Sequence, residues 1–246
     1  MTRFQASRIH FAISAAIVGT VLAVVFLAWY PGPTFEIAGA RAPVFVLVGV
    51  DLVLGPLLTL IVYTEGKKGL KFDLAFIATV QLVALVYGSY TLYSERPSYL
   101  VFAIDRVSLV SAKTIDTASI LHEELTHKRI GKLINVFARK PQDPEEFRRF
   151  MDSVLIQGMP DLDRRTEYWE PWESGSDVIY SAITSLDDFE PASELEQKEL
   201  AAAIQRHGRE HPRLGFLPIG EIEADIGMLI DLDSLLPLDV IRVDPW

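Results

Sequence analysis

The sequence predicts a membrane protein with an N-terminal three-helix transmembrane bundle, residues 1–96, and a C-terminal α+β domain with a mostly antiparallel sheet, residues 97–246. Three apolar runs of about 20 residues lie in the first part, each long enough to cross a hydrocarbon core of about 30 Å. The first part carries seven basic and five acidic side chains, net +2, and the second carries 16 and 28, net −12. The second part mixes strand and helix patterns without the βαβ alternation of a parallel sheet.

The three membrane spans are predicted from the apolar runs at about residues 9–30, 44–63 and 74–93. Trp29 and Tyr30 close the first run, as expected at a membrane interface, where aromatic side chains are enriched. Arg3 and Arg8 precede this run, which gives it the basic start of a signal peptide. We interpret it as an uncleaved anchor, because the apolar region of a signal peptide is only about 7–15 residues long.

The orientation is predicted from Lys and Arg in the short loops, which are enriched on the cytoplasmic side. The N-terminal tail has two arginines and the second loop has Lys67, Lys68 and Lys71, whereas the first loop has only Arg41. The N-terminus is therefore expected in the cytoplasm. In a bacterium with an outer membrane, the C-terminal domain would then lie in the periplasm, anchored to the inner membrane by several spans.

Asp51 is the least expected residue of the second span. A carboxylate within a hydrocarbon core costs about 2.5–3.5 kcal/mol on insertion scales, so such residues are protonated or face a partner. Gln81 in the third span lies at a similar depth, and a protonated Asp51 could donate to its carbonyl. The alternatives are a polar contact for a partner helix and a proton pathway. Gly55 and Pro56 predict a kink one turn later that frees backbone carbonyls nearby.

Small residues recur at every fourth position of the first span, at Ala15, Gly19 and Ala23. Such a stripe lets a neighbouring helix approach closely. It is explained either by packing within the three-helix bundle or by docking of another protein's transmembrane helix.

The C-terminal domain shows strand and helix patterns along its whole length. Strands are predicted at 99–105, 106–111, 132–138, 214–219, 225–230 and 240–243, and helices at 117–129, 143–157, 174–183 and 191–207. Asp143 followed by Pro144 is typical of a helix start, with Asp as the N-cap and Pro in the first helical position.

Tyr168, Trp169 and Trp172 place three aromatic side chains within five residues. Aromatic residues are enriched at protein interfaces. The cluster is therefore interpreted either as part of the core or as a patch that contacts a partner.

Two histidine clusters resemble zinc motifs, and the first lies at His122 and His127. These histidines are five residues apart, so on a helix their side chains would point about 140° apart and would not converge on a metal. A zinc site is therefore not predicted there.

The second histidine cluster, His207, Glu210 and His211, matches the inverted H-x-x-E-H pattern. Gly208 places the cluster at a helix end instead of within a ligand helix, and a third ligand would have to come from the acidic residues in 221–225. A membrane-anchored periplasmic zinc peptidase is therefore kept only as an alternative function.

Composition and motif content argue against several other functions. The net acidic charge disfavours nucleic acid as a partner, because phosphate binding needs a basic face. The sequence has no cysteine, which excludes disulfides, thiol catalysis and cysteine-ligated zinc. It also lacks G-x-S-x-G, Walker A and dinucleotide-binding patterns. Neither a cofactor nor a catalytic residue is predicted.

Several stretches resemble the type IV pilin accessory proteins of the TfpX/TfpZ group, which are related to the fimbrial assembly protein FimB. The most unusual is the string GVDLVLGPLLTL at residues 49–60. The others are Trp29–Pro33, Lys67–Asp73, Gln81 with Tyr87 and Gly88, Arg96–Phe102, and the closing Asp244–Trp246.

The resemblance implies an inner-membrane protein, surrounded by membrane lipid, that helps a type IV pilin reach the surface as a pilus. The pilin, and other pilus assembly proteins, would be its partners. The resemblance implies no enzymatic activity and supplies no catalytic residues. We therefore expect Asp51, the Ala15/Gly19/Ala23 stripe and the C-terminal domain to contact the pilin.

Overall fold

The computed structural model describes residues 1–32, 34–126, 131–220 and 226–244. Contacts between Cα atoms divide the chain into two compact units, Met1–Arg96 and Pro97–Trp246. Each unit has its own secondary structure and core.

Where the structure describes the N-terminal unit, three helices are long and apolar enough to cross a membrane: Arg3–Trp29, Arg41–Val62 and Leu70–Glu95, here the first, second and third spans. The first span consists of α1, Arg3–Val24, and a π-helical turn, Val25–Trp29; a short α2, Thr34–Ile37, follows it. The second consists of α3, Arg41–Val48, a π-helical segment, Gly49–Leu54, and α4, Gly55–Val62. The third is α5, Leu70–Glu95.

The first span begins several residues before the apolar run that predicted it. Thr2 is its N-cap and accepts a hydrogen bond from the backbone of Gln5, whose side chain bonds back to Thr2. This capping box satisfies backbone N–H groups that the helix leaves free, so helical structure extends beyond the apolar residues. Three long apolar helices confirm the predicted membrane fold.

A small core holds the N-terminal unit together, with Val18, Val25, Leu47 and Leu92 almost fully buried. The Tyr30 hydroxyl donates to the carbonyl of Leu92 at 2.9 Å and joins the ends of the first and third spans. Many other apolar side chains of the spans point outwards, as a lipid-facing surface requires.

The described residues of the C-terminal unit form two four-stranded sheets and three α-helices. The first sheet has the order β2-β1-β3-β4, with β1 Pro97–Ala103, β2 Arg106–Ser111, β3 Ile134–Ala138 and β4 Trp169–Pro171. The second has the order β5-β6-β7-β8, with β5 Thr184–Ser185, β6 Leu214–Pro218, β7 Gly227–Asp231 and β8 Pro237–Ile241. The helices are α6 Pro144–Leu155, α7 Ser176–Ala182 and α8 Glu194–His207.

Strand pairing confirms an α+β domain with mostly antiparallel sheets. Only β1 and β3 run parallel among the paired strands that the structure describes. A parallel bridge between Val107 and Ile219 connects the two sheets, and Gly220 donates to the Val107 carbonyl at 2.8 Å.

The helix predicted at residues 117–129 is wrong over the residues that are described there. The chain instead forms two 3₁₀ turns, Thr117–Ser119 and Glu123–Leu125. The Asp116 carboxylate accepts hydrogen bonds from Ala118 and Ser119, and such local bonding competes with an α-helix. Leu125 is buried while Leu121 is exposed, so residues four apart do not form a shared apolar face.

Arg139 connects three elements of the C-terminal unit, because it follows β3 and reaches α6 and β4. Its guanidinium contacts the Glu146 carboxylate at 3.1 Å and Glu170 at 3.5 Å, and it lies over the Tyr168 ring. Glu146 also accepts a hydrogen bond from the backbone of Gln142 at 2.7 Å. The hydrogen bond from Arg139 is the main reason why the pKa of Glu146 lies below its usual value.

We expect Glu146→Gln to destabilise the protein at neutral pH by about 1 kcal/mol, since the ion pair is only partly buried. Because the pKa of Glu146 is lowered in the folded state, its contribution is present above the usual pKa of glutamate. It is lost as the pH falls through the folded-state value. Urea unfolding of wild type and variant should therefore differ at neutral pH and converge in acid.

Glu145→Gln is the matched control, because Glu145 lies in the same helical turn and is exposed. We expect it to leave the free energy of unfolding within about 0.5 kcal/mol of wild type, as is usual for surface substitutions. An equal loss in both variants would show that helix-terminus charge, and not the Arg139 ion pair, stabilises this end of α6.

Candidate intramembrane polar site

The second span changes from α-helical to π-helical hydrogen bonding at Gly49–Leu54. The backbone N–H of Gly55 bonds to the carbonyl of Val50, five residues earlier. At the same spacing, residue 56 would donate to the carbonyl of Asp51, but Pro56 has no N–H. The structure thus shows a π-helical segment directly before the predicted Gly55–Pro56 kink, and the Asp51 carbonyl has no helical donor.

Gln81 of the third span supplies the missing donor. Its Nε2 donates to the backbone carbonyl of Asp51 and to Asp51 Oδ1, both at 3.2 Å. Asp51 and Gln81 are 5% and 8% exposed, so these hydrogen bonds are shielded inside the bundle. The two residues predicted to pair do meet, but the Gln81 amide donates, whereas the sequence suggested a proton on Asp51.

Gly55 makes room for the Gln81 amide. A Cβ atom at this position would overlap the Nε2, Cδ and Oε1 atoms of Gln81. Gly55 and Pro56 therefore act together: proline leaves the carbonyl unbonded, and glycine lets the amide reach it.

Polar contacts with the first span continue towards the N-terminus of that helix. Ser7 donates to the carbonyl of Pro56 at 2.8 Å, and His10 Nδ1 lies 2.6 Å from Thr59 Oγ1. The sequence analysis did not identify these residues. Their signal was the presence of His10 and Thr59 within apolar runs.

A cavity of about 270 Å³ lies beside the Asp51–Gln81 pair. Its lining includes His10, Ser14 and Ile17 of the first span, Asp51 of the second, and Gln81 and Leu82 of the third. Asp51 Oδ2 and Gln81 Oε1 are buried and have no hydrogen-bond partner among the described residues. The site therefore combines an apolar wall with unused hydrogen-bond acceptors.

The small-residue stripe lies elsewhere on the first span. Ala15 is half-buried, whereas Gly19 and Ala23 are exposed. Apart from its two chain neighbours and the nearby backbone of its own helix, no described residue has an atom within 4 Å of the position that a Gly19 Cβ would take. Gly19 is about 140° around the helix from Ser14, which lines the cavity. The exposed positions do not fit packing within this bundle and leave the partner-helix interpretation open.

The aromatic cluster lies in the core of the C-terminal unit, so the predicted partner patch is corrected. Tyr168, Trp169 and Trp172 are 7%, 0% and 4% exposed. Trp169 packs against Tyr99 with 4.8 Å between ring centroids, and Trp172 Nε1 donates to the carbonyl of Leu235 at 2.9 Å. Side chains that are buried in this way cannot form an exposed patch.

The histidines of the H-x-x-E-H pattern do not converge on a common point. His207 Nε2 lies 3.2 Å from Asp239 of β8, and His211 Nδ1 lies 3.2 Å from Asp231 of β7. No group of three His, Asp or Glu side chains that could hold a metal occurs in the ranges that the structure describes. His127 and the third ligand considered at 221–225 lie outside those ranges.

Asp231 also orders the β7–β8 turn, because its carboxylate accepts hydrogen bonds from the Asp233 backbone and from Ser234. Burial raises the pKa of Asp231, but hydrogen bonds from Ser234 and the Asp233 backbone outweigh burial and leave it below the usual value. Asp231 thus orders a turn, which accounts for this carboxylate without a metal.

These features define a membrane protein with three spans, an intramembrane polar site and an α+β domain. A family model described as "Fimbrial assembly protein FimB" matches residues 1–39. The chain is 28% identical over 220 residues to the fimbrial assembly protein of serogroup I of Dichelobacter nodosus, covering 87% of this chain and 84% of that protein. It is 36% identical over 108 residues to the protein of serogroups C1 and C2, covering 43% of this chain and 82% of that protein.

The chain belongs to the FimB family of fimbrial assembly proteins. No solved structure matches it significantly.

We expect Gly55→Ala to destabilise the N-terminal unit by about 1–3 kcal/mol, the usual cost of overpacking. The added methyl group displaces the Gln81 amide and leaves the Asp51 carbonyl without a donor. The measurement is thermal unfolding of the purified protein in detergent, followed by helical circular dichroism.

Gly19→Ala is the matched control, because it adds the same methyl group to another membrane helix where space is open. Its unfolding midpoint should equal or slightly exceed that of wild type, since alanine favours helix more than glycine does. If Gly55→Ala behaved like Gly19→Ala, the close approach of Gln81 would not matter for stability.

Proposed function

We propose that this protein is a non-enzymatic inner-membrane accessory protein for type IV pilus biogenesis that contacts the pilin and assists its stability, assembly or surface display. The observation that carries the proposal is the similarity to relatives named for fimbrial assembly, which extends over 84% of the serogroup I protein. That similarity includes both units of the chain, so both are proposed to take part.

The proposed orientation has the N-terminus in the cytoplasm and the C-terminal unit in the periplasm. Two arginines in the tail and three lysines in the second loop support it. A periplasmic C-terminal unit would stand on the same side of the membrane as a pilin head domain.

The first span supplies the proposed docking face for the apolar helix of a pilin. Helices in lipid gain little from hydrophobic burial, so they associate through close packing of small residues and through polar contacts. Gly19 and Ala23 offer an exposed small-residue surface. The open space at Gly19 supports an external occupant, because the unit's own helices leave this face uncovered.

The zinc peptidase alternative receives less support. Carboxylates from two different strands pair with His207 and His211, which draws the imidazoles away from a shared ligand geometry. Metal analysis of the purified protein distinguishes the two functions, because a peptidase of this type needs stoichiometric zinc.

The docking face is tested by Gly19→Leu in the host bacterium. The larger side chain has room within the protein's own bundle, so protein levels should stay normal. It would keep a pilin helix away, and we expect at least a fivefold loss of surface pili, equivalent to about 1 kcal/mol of lost helix contact. A photoreactive residue at Ala23 should crosslink to the pilin, and this crosslink should weaken in the Gly19→Leu background.

Two controls accompany this test. Gly19→Ala keeps the position small and should give wild-type pili. Ala75→Leu places the same large side chain at an exposed position of the third span and should also be neutral. Normal piliation and crosslinking with Gly19→Leu at wild-type protein levels would refute this docking face.

A further inference from the structure

The intramembrane site has more hydrogen-bond acceptors than donors. Gln81 Nε2 has two hydrogens, and the carbonyl and Oδ1 of Asp51 accept both. Asp51 Oδ2 and Gln81 Oε1 remain, both buried and both without a described partner. The opposite orientation of the amide would point Oε1 at two acceptors, so the hydrogen bonds themselves fix which atom is left over.

The cavity beside the pair is the place from which a donor could arrive. Asp51, Gln81 and Ser14 all line it, and each is more than nine-tenths buried. The terminal torsions of Asp and Gln side chains are broad, so the two buried oxygens can rotate towards an occupant of the cavity. Ile17, Leu82 and Leu85 provide the apolar wall for a hydrocarbon chain.

Charge decides which kind of donor fits best. Neither lysine nor arginine is among the described residues that line the cavity; besides Asp51, His10 is the one titratable group there, and its Nδ1 already contacts Thr59 Oγ1 at 2.6 Å. A carboxylate in hydrocarbon is stabilised most by an opposite charge that also donates hydrogen bonds. A primary ammonium group has three donors, which suffice for Oδ2, Oε1 and the Ser14 hydroxyl.

We propose that this cavity is a binding site for a primary ammonium group carried by an apolar chain or segment. The ammonium binds Asp51 Oδ2 and Gln81 Oε1, and its hydrocarbon lies along the wall formed with Leu82 and Leu85. The inference concerns the chemistry of this cavity and holds whether or not the pilin docks on the Gly19 face.

The test uses the full-length protein in phosphatidylcholine nanodiscs, with empty nanodiscs subtracted. n-Decylamine, which is protonated at neutral pH, is titrated by calorimetry against n-decanol and decanoate. Saturable binding of the amine, at least tenfold tighter than that of decanol, is expected for wild type. Equal affinity for amine and alcohol would overturn the proposal on wild-type protein alone.

Variants then locate the site. Asp51→Asn and Gln81→Leu should each weaken amine binding at least tenfold. The control Thr79→Val alters an exposed threonine whose hydroxyl bonds within its own helix, and it should leave binding unchanged. Unchanged amine binding in folded Asp51→Asn would overturn the assignment.

A second arm separates the two sources of such an amine. A synthetic apolar transmembrane peptide with one central lysine is compared with the same peptide carrying norleucine there. Lysine-dependent association that Asp51→Asn abolishes assigns the site to a protein segment, and binding of decylamine alone assigns it to a small amphiphile. Failure of both probes overturns the proposal and leaves the Gly19 docking face untouched.

Discussion

The N-terminal unit depends on one constraint: inside a membrane, every backbone carbonyl and N–H must find a partner within the protein. Pro56 breaks this rule locally, since it cannot donate to the carbonyl of Asp51. The second span is π-helical directly before this proline, and the Gln81 amide of the third span donates to the carbonyl instead. A single missing N–H thus explains why a glycine and a glutamine lie beside this carbonyl, while the Asp51 side chain accepts the second hydrogen of the same amide. Without Gly55 the Gln81 amide could not approach, and without Gln81 the carbonyl of Asp51 would be buried without a donor.

The same constraint ties the three helices into one arrangement. Gln81 crosses from the third span to the second, while Ser7 and His10 cross from the first span to Pro56 and Thr59. Because lipid offers no competing hydrogen bonds, such contacts fix how the helices pack, even though few apolar residues of the unit are buried. This arrangement leaves two acceptors beside the cavity, Asp51 Oδ2 and Gln81 Oε1, without a described hydrogen-bond partner. Buried acceptors without a partner are uncommon in native proteins. π-helical segments are also frequent at functional sites.

Much of the fold could be predicted because its signals are local. Apolar length located the three spans, and Asp143 with Pro144 located the start of α6, where Asp143 caps the helix. The helix predicted at 117–129 failed because the Asp116 side chain bonds to the backbone nearby, a competition that periodicity does not reveal. The three-residue strand β4 exists only through its pairing with β3, a long-range contact.

At the site, residue depth predicted the meeting of Asp51 and Gln81. The direction of the hydrogen bond depends on the π-helical register, which the sequence does not display.

The first span presents two different surfaces, and their separation bears on how a partner could be held. Around the cavity, His10 and Ser14 offer polarity, whereas Gly19 and Ala23 on another face offer only close approach. Helices associate in lipid by both means: polar contacts recognise a hydrogen-bonding group, and small residues recognise a helix that can pack closely. A single straight helix cannot use both surfaces fully, because they lie about 140° apart around the same cylinder. An occupant of the cavity, as proposed, would therefore leave the Gly19 face uncovered. In the proposed accessory role, two such contacts would hold a subunit without either one having to be strong.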